Sequence, residues 1–168
     1  MRGCRLSLIA LGLIVASCNP LPHPTATHDT NGDGHIDEWV YTVSKSEIKV
    51  ALDANHDGRP DTVKTFRDGQ LIKVERDRNF DGRVDLIETY DLGHLNRVVS
   101  DDNFDGKPDT IKIYRNGKLA IVEHDPDETG SVASADYYDD NGVLIRTVTR
   151  GKSPHATPLP DEFSALTK

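Results

Sequence analysis

The chain has 168 residues, a formal net charge of −8, and 36% hydrophobic, 6% aromatic and 29% charged residues. That length suits one ordinary domain or a short array of small repeats, and the acidic balance argues against a nucleic-acid partner, because binding phosphates needs clustered Lys and Arg. Two cysteines allow at most one disulfide, and high charge with low hydrophobicity argues against a large apolar core, so something besides apolar burial is expected to hold the chain together.

The first twenty residues open with Arg2 and Arg5 and then run apolar from Leu6 to Ala16, the form of a secretory signal. Nothing after them is apolar for long enough to cross a membrane as a helix. Val15-Ala16-Ser17-Cys18 resembles the lipobox of bacterial lipoproteins. The resemblance implies that residues 1–17 are removed as a signal peptide and that Cys18 is acylated on sulfur as the new N-terminus. It also implies a lipid-anchored place in the bacterial cell envelope. Asn19, rather than Asp, after that cysteine favours the outer membrane in a Gram-negative host. Loss of Arg2 and Arg5 leaves 18 Lys and Arg against 28 Asp and Glu, a side-chain charge of −10. Residues 19–28 hold three prolines and no hydrophobic pattern, so 18–28 reads as a lipidated cysteine with a proline-rich tether.

From 29 to 150 the sequence repeats with a period of 24. The phrase Asp-x-Asn-x-Asp-Gly-x-x-Asp stands at 29–37, 53–61, 77–85 and 101–109, and a decayed fifth copy, DPDETGSVA, stands at 125–133. Calcium takes six to eight oxygen ligands in irregular geometry. A loop curling round an ion turns alternate side chains inward, so Asp29, Asn31 and Asp33 are expected to converge, with the chain bending at Gly34. The carbonyl of His35 and the carboxylate of Asp37 would complete that set. The matching sets are Asp53, Asn55, Asp57, Arg59 and Asp61; Asp77, Asn79, Asp81, Arg83 and Asp85; and Asp101, Asn103, Asp105, Lys107 and Asp109. Arg59, Arg83 and Lys107, like His35, would offer backbone carbonyls. Asx-turns alone would need one or two such side chains, not three aspartates in nine residues whose mutual repulsion is unfavourable without a cation. Ile36, Pro60, Val84 and Pro108, which precede the closing aspartates, are expected to pin each loop to the core.

These phrases resemble the first nine positions of EF-hand calcium loops and their relatives in dockerins, thrombospondin type 3 repeats and integrin-type propeller repeats. The glutamate of the twelfth EF-hand position is present only as Glu88; Val40, Lys64 and Lys112 replace it elsewhere. Integrin-type loops join strands and manage without that ligand, which favours strand-flanked sites. The resemblance thus implies about four weak Ca2+ sites.

The segments between the loops, such as 62–76, 86–100 and 110–124, carry β-branched and aromatic residues on both sides of a central glycine, Gly69, Gly93 or Gly117. Asp68-Gly69 and Asn116-Gly117 are strong hairpin signals. The first such segment, 38–52, lacks the glycine and is expected to turn through Ser44-Lys45-Ser46; the last, 134–150, has one extra residue before Gly142. The predicted fold is all-β: tandem β-hairpin repeats in an antiparallel meander or curled sheet, with calcium loops at the repeat junctions. Phe66, Tyr90, Tyr114 and Tyr138 form one column, Leu71, Leu95 and Leu119 a second, and Val50, Val74, Val98, Val122 and Val148 a third. Val63, Ile87 and Ile111 fall at odd offset from the aromatics, so both faces are partly apolar and the sheet either curls or contains a bulge. Residues 151–168, again with three prolines, read as a disordered tail from which Leu159, Phe163 and Leu166 could dock on the last repeat.

No His-Glu-x-x-His pattern, nucleophile elbow or glycine-rich phosphate cradle is present, so no catalytic residue is expected. The expected protein is a non-enzymatic, calcium-binding, lipid-anchored envelope repeat protein, acting as a scaffold or as an adhesion or interaction module. Its expected partners are the membrane, through the anchor, and an envelope or surface protein. The alternative is a helical EF-hand or dockerin-like module that senses calcium or docks a partner; a third possibility is that the ions only staple a domain whose task lies elsewhere.

Overall fold

The structure is a computed structural model and describes residues 23–125 and 132–149. Cys18, the signal segment, the centre of the fifth loop and the tail lie outside them. Eleven strands follow one another: β1 (Ala26–His28), β2 (Glu38–Thr42), β3 (Glu47–Leu52), β4 (Thr62–Arg67), β5 (Gln70–Arg76), β6 (Leu86–Asp91), β7 (His94–Ser100), β8 (Thr110–Arg115), β9 (Lys118–His124), β10 (Ser134–Tyr138) and β11 (Leu144–Thr149). Each pairs antiparallel with the next, so they form a single open meander in sequence order. The architecture is all-β, with no helix among the described residues. The paired helices of an EF-hand or dockerin-like module are therefore not what flanks these loops, and that alternative falls away.

Antiparallel succession sends alternate connections to opposite ends of the strands. The β2–β3, β4–β5, β6–β7, β8–β9 and β10–β11 turns lie at one end. The motifs 29–37, 53–61, 77–85 and 101–109 connect β1–β2, β3–β4, β5–β6 and β7–β8 at the other. Three turns have two left-handed residues each: Asp68 (φ 49°) and Gly69 (79°), Leu92 (47°) and Gly93 (81°), Asn116 (51°) and Gly117 (76°). That is the type I′ geometry, whose twist matches that of the flanking strands. The first hairpin turns through 43–46 as expected, with Ser44 Oγ accepting from the Ser46 and Glu47 amides at 3.3 and 3.1 Å.

Register decides the faces. One row of directly paired residues runs Val40, Val50, Lys64, Val74, Glu88, Val98, Lys112, Val122 and Asp136. Val74, Val98 and Val122 are buried there, a spine of medium-sized side chains alternating with charged ones. On the opposite face Trp39, Ala51, Val63, Glu75, Ile87, Val99, Ile111, Glu123 and Ala135 form the neighbouring row. Both faces are thus partly apolar, and of the two geometries expected the sheet stays open and contains bulges. Ile72, Asn96 and Ala120 are passed over where the register shifts near the turns, which sets Leu71, Leu95 and Leu119 opposite Phe66, Tyr90 and Tyr114.

Two expectations need correction. Val148 does not join the valine column: it pairs with Ala135 on the other face and is 41% exposed, because the longer last turn changes the register. The residues before the closing aspartates do not pin the loops. Ile36, Pro60 and Val84 are exposed and Pro108 is half-buried, because strand alternation turns the aspartates inward; Asp37, Asp61 and Asp85 are 4%, 8% and 6% exposed.

Leu92 holds a left-handed position with its side chain 79% exposed, a conformation that asparagine adopts more readily. Leu92→Asn is expected to raise unfolding free energy by about 0.5–1 kcal/mol. Urea unfolding checks it; a lower midpoint would show that the leucine makes a stabilising contact.

Candidate functional site

Each loop is built on its first aspartate. In the second loop Asp53 accepts from the amides of Asp57 (Oδ1, 3.3 Å) and Gly58 (Oδ2, 2.7 Å). Asp77 and Asp101 repeat the pattern, with the glycine amide at 2.7 Å in both. In the first loop Asp29 takes Gly32 at 2.7 Å and Gly34 at 2.8 Å. The asparagines follow: Oδ1 of Asn31, Asn55, Asn79 and Asn103 accepts from the amide of Asp33, Asp57, Asp81 and Asp105. The middle aspartates then accept from the amides of His35, Arg59, Arg83 and Lys107 at 2.8–2.9 Å. The chain closes this tightly because Gly34, Gly58, Gly82 and Gly106 sit at φ 86–93°, where a Cβ is strained.

The closing aspartates have a different task. Asp37, Asp61, Asp85 and Asp109 reach back to the amide of the second loop residue, at 3.0, 2.7, 2.7 and 2.6 Å. In the second, third and fourth loops the first and third side chains thus share the amide of the fifth residue, and in all four the ninth braces the loop's entrance. Glu88 stands apart: its carboxylate meets Arg76 (3.4 Å) and the Tyr90 hydroxyl (3.1 Å) on a sheet face. Burial first, then the charge of Glu88, raises the Tyr90 pKa.

The donor set suits a hard cation. Each loop offers carboxylate and amide oxygens that keep a free lone pair after bonding one N–H. Asn31, Asn55 and Asn79 Nδ2 contact the middle carboxylate at 3.1, 3.3 and 3.1 Å, a bond that a cation seated between those groups would replace. Among the described residues no three or more His, Cys, Asp or Glu side chains are grouped closely enough to hold a metal ion. The asparagine and the backbone carbonyl would have to supply the remaining oxygens.

Successive loops are also joined. The amides of Asp53, Asp77, Asp101 and Asp125 donate to the carbonyls of Asp37, Asp61, Asp85 and Asp109 at 2.7–2.9 Å. The ends of the fifth loop are therefore anchored like the others, while 126–131 lie outside the described residues. Side chains invisible to the motif add bridges. His56 Nδ1 reaches Asp37 at 3.0 Å. Arg78 donates to Asp85 (2.6 Å), the Asp101 carbonyl (2.8 Å) and Asp102 (3.1 Å), and lies over the Phe104 ring. His56, Phe80 and Phe104 occupy the fourth loop position at φ 61–63°. The one sequence signal for that strain was Gly32, at the same position in the first loop. The chain matches no family model, and no curated protein matches it.

Asp53 and Asp57 separate bracing from cation chemistry. In chelator, Asp53→Ala is expected to cost about 2–3 kcal/mol, because it frees two amides from a carboxylate that is 4% exposed, and Asp57→Ala less than about 1 kcal/mol. Equal losses in urea unfolding would contradict this division. The Thr30 hydroxyl foremost, and then His56, hold the Asp37 carboxyl below its usual range; the bond to Asp37 holds His56 above its ordinary value. The aspartate contribution is present above its unfolded pKa and lost as pH falls. The histidine contribution is full below its unfolded pKa and lost as pH rises through the raised value. In chelator, the melting-temperature gap between wild type and His56→Gln is therefore expected to be widest between about pH 4 and 6.5 and to narrow above. A gap that widens towards pH 8 would refute the pairing.

Proposed function

We propose that this is a non-enzymatic, lipid-anchored envelope protein whose loop end binds about four calcium ions and which, so stiffened, acts as a scaffold or interaction surface. One observation carries the reading: four loops of identical phrase, stacked at one end of the sheet, each draw two carboxylates and a carboxamide into one small ring of amides. The oxygen chemistry favours Ca2+ over softer metals, since no thiolate or clustered imidazole accompanies it. The loop residues in question are Asp29, Asn31, Asp33 and the carbonyl of His35, with their counterparts in the next three loops; Glu88 is not among them. Cys18 acylation would tether the sheet to the membrane, and an envelope or surface protein is the partner in view.

The energetic reason is electrostatic. Each loop carries three aspartates within nine residues, and divalent ions would offset a repulsion that the backbone amides only partly relieve. At about 1 mM calcium and a Kd near 0.1 mM, each filled site adds about 1.4 kcal/mol, and four add about 5–6 kcal/mol. Calorimetry on the protein lacking residues 1–18 is expected to show about four sites, with one lost in Asp81→Ala, and calcium is expected to raise the melting temperature over that in chelator. Coincident melts and no heat of binding at millimolar calcium would sink the proposal.

A further inference from the structure

The sheet face opposite the valine spine carries a feature that the loops do not explain. Along one row of directly paired residues, toward the turn end, stand Lys49, Thr65, Lys73, Thr89 and Arg97. The cations come from β3, β5 and β7, the second strand of each successive hairpin, so they repeat every two strands, about 9.6 Å apart. Thr65 is 5% exposed and Thr89 half-buried, which leaves a low shelf between longer side chains. Among the described residues Lys49 and Arg97 form no ion pair, whereas Lys73 reaches Glu75 at 2.6 Å. Arg146 continues the row beyond Ile113, Ile121 and Tyr137 and lies 4.4 Å over the Tyr137 ring. Three cations in single file, the outer two without an ion pair among the described residues and the middle one shared with Glu75, are a conspicuous arrangement in a chain of net charge −8 whose aspartates crowd the other end.

We propose that this row is a docking track for a linear acidic polysaccharide that carries one carboxylate on every second sugar ring. The match lies in charge and in repeat. A chain laid across the strands would set successive carboxylates against successive cations, with the rings between them over the threonine shelf. An anionic bilayer would attract the same cations without needing them in file, and so is the less specific occupant. Steering by opposite charge sets orientation and on-rate, and each released counterion makes the binding sensitive to salt. The track does not depend on the loops being filled with calcium.

The test uses the full chain carrying Cys18→Ser, which removes acylation, against immobilised hyaluronan, uncharged dextran and phosphatidylglycerol vesicles at low ionic strength. Saturable, salt-sensitive binding to hyaluronan and none to dextran is expected. Lys49→Gln with Arg97→Gln is expected to weaken hyaluronan binding about tenfold. Lys64→Gln with Lys112→Gln, the same charge change on the opposite face, is expected to leave it within about twofold. Circular dichroism of each variant checks that the sheet is intact. Equal losses in the two double variants, binding to vesicles but not to hyaluronan, or no hyaluronan binding at all would each overturn the track.

Discussion

A carboxylate accepting two backbone amides is the bond on which this molecule is built. The first aspartate of each loop gathers the amides of its own turn, and from the second loop onward its own amide reaches the carbonyl that closes the preceding loop. An acceptor that carries charge makes a stronger hydrogen bond than a neutral one, and burying it unpaired would be costly. Hence the inward-facing acids at the loop end are also the bonded ones, and no buried side-chain polar atom among the described residues lacks a partner.

That bond explains how a chain with so little apolar substance can form a long sheet. Among the described residues no second sheet or helix covers the faces of this single layer; the buried apolar set is small, and Val74 is the largest fully buried side chain there. Stability in such arrays comes from contacts between neighbouring repeats. Here the contacts are of two kinds, cross-strand rows in which valines alternate with charged residues and aromatics face leucines, and a ladder of loop-to-loop hydrogen bonds at one end. Each repeat therefore braces the next, with His56 and Arg78 adding bridges across two of the loop junctions.

The two ends of the strands are chemically unlike. Aspartates crowd the loop end, whereas the middle and turn end of one face carry a file of cations. The segregation follows from the repeat itself: a motif of fixed phase puts each residue type at one height in every strand, so the meander adds up like charges along lines instead of scattering them. A repeat with the same composition but a drifting phase would mix them, and neither a stack of oxygen-rich loops nor a regular cationic row would result.

The number of hairpins, the placing of their turns and the nine-residue loops were legible in the sequence, because a constant 24-residue period and Asp-Gly or Asn-Gly turns are local signals. Position in the motif likewise marked out the aspartates and asparagines whose side chains accept the loop amides. What the period could not show was settled by register. Strand alternation turns Asp37, Asp61 and Asp85 inward and leaves Ile36, Pro60 and Val84 exposed; bulges at Ile72, Asn96 and Ala120 bring the leucines opposite the aromatics; and the longer last turn moves Val148 out of its column. The bridges of His56 and Arg78, the separation of Glu88 from the loops and the lining-up of Lys49, Lys73 and Arg97 also needed the folded sheet. A repeat written along the chain states which residues recur, but only the pairing of strands decides which of them meet, since one residue of slip exchanges the faces.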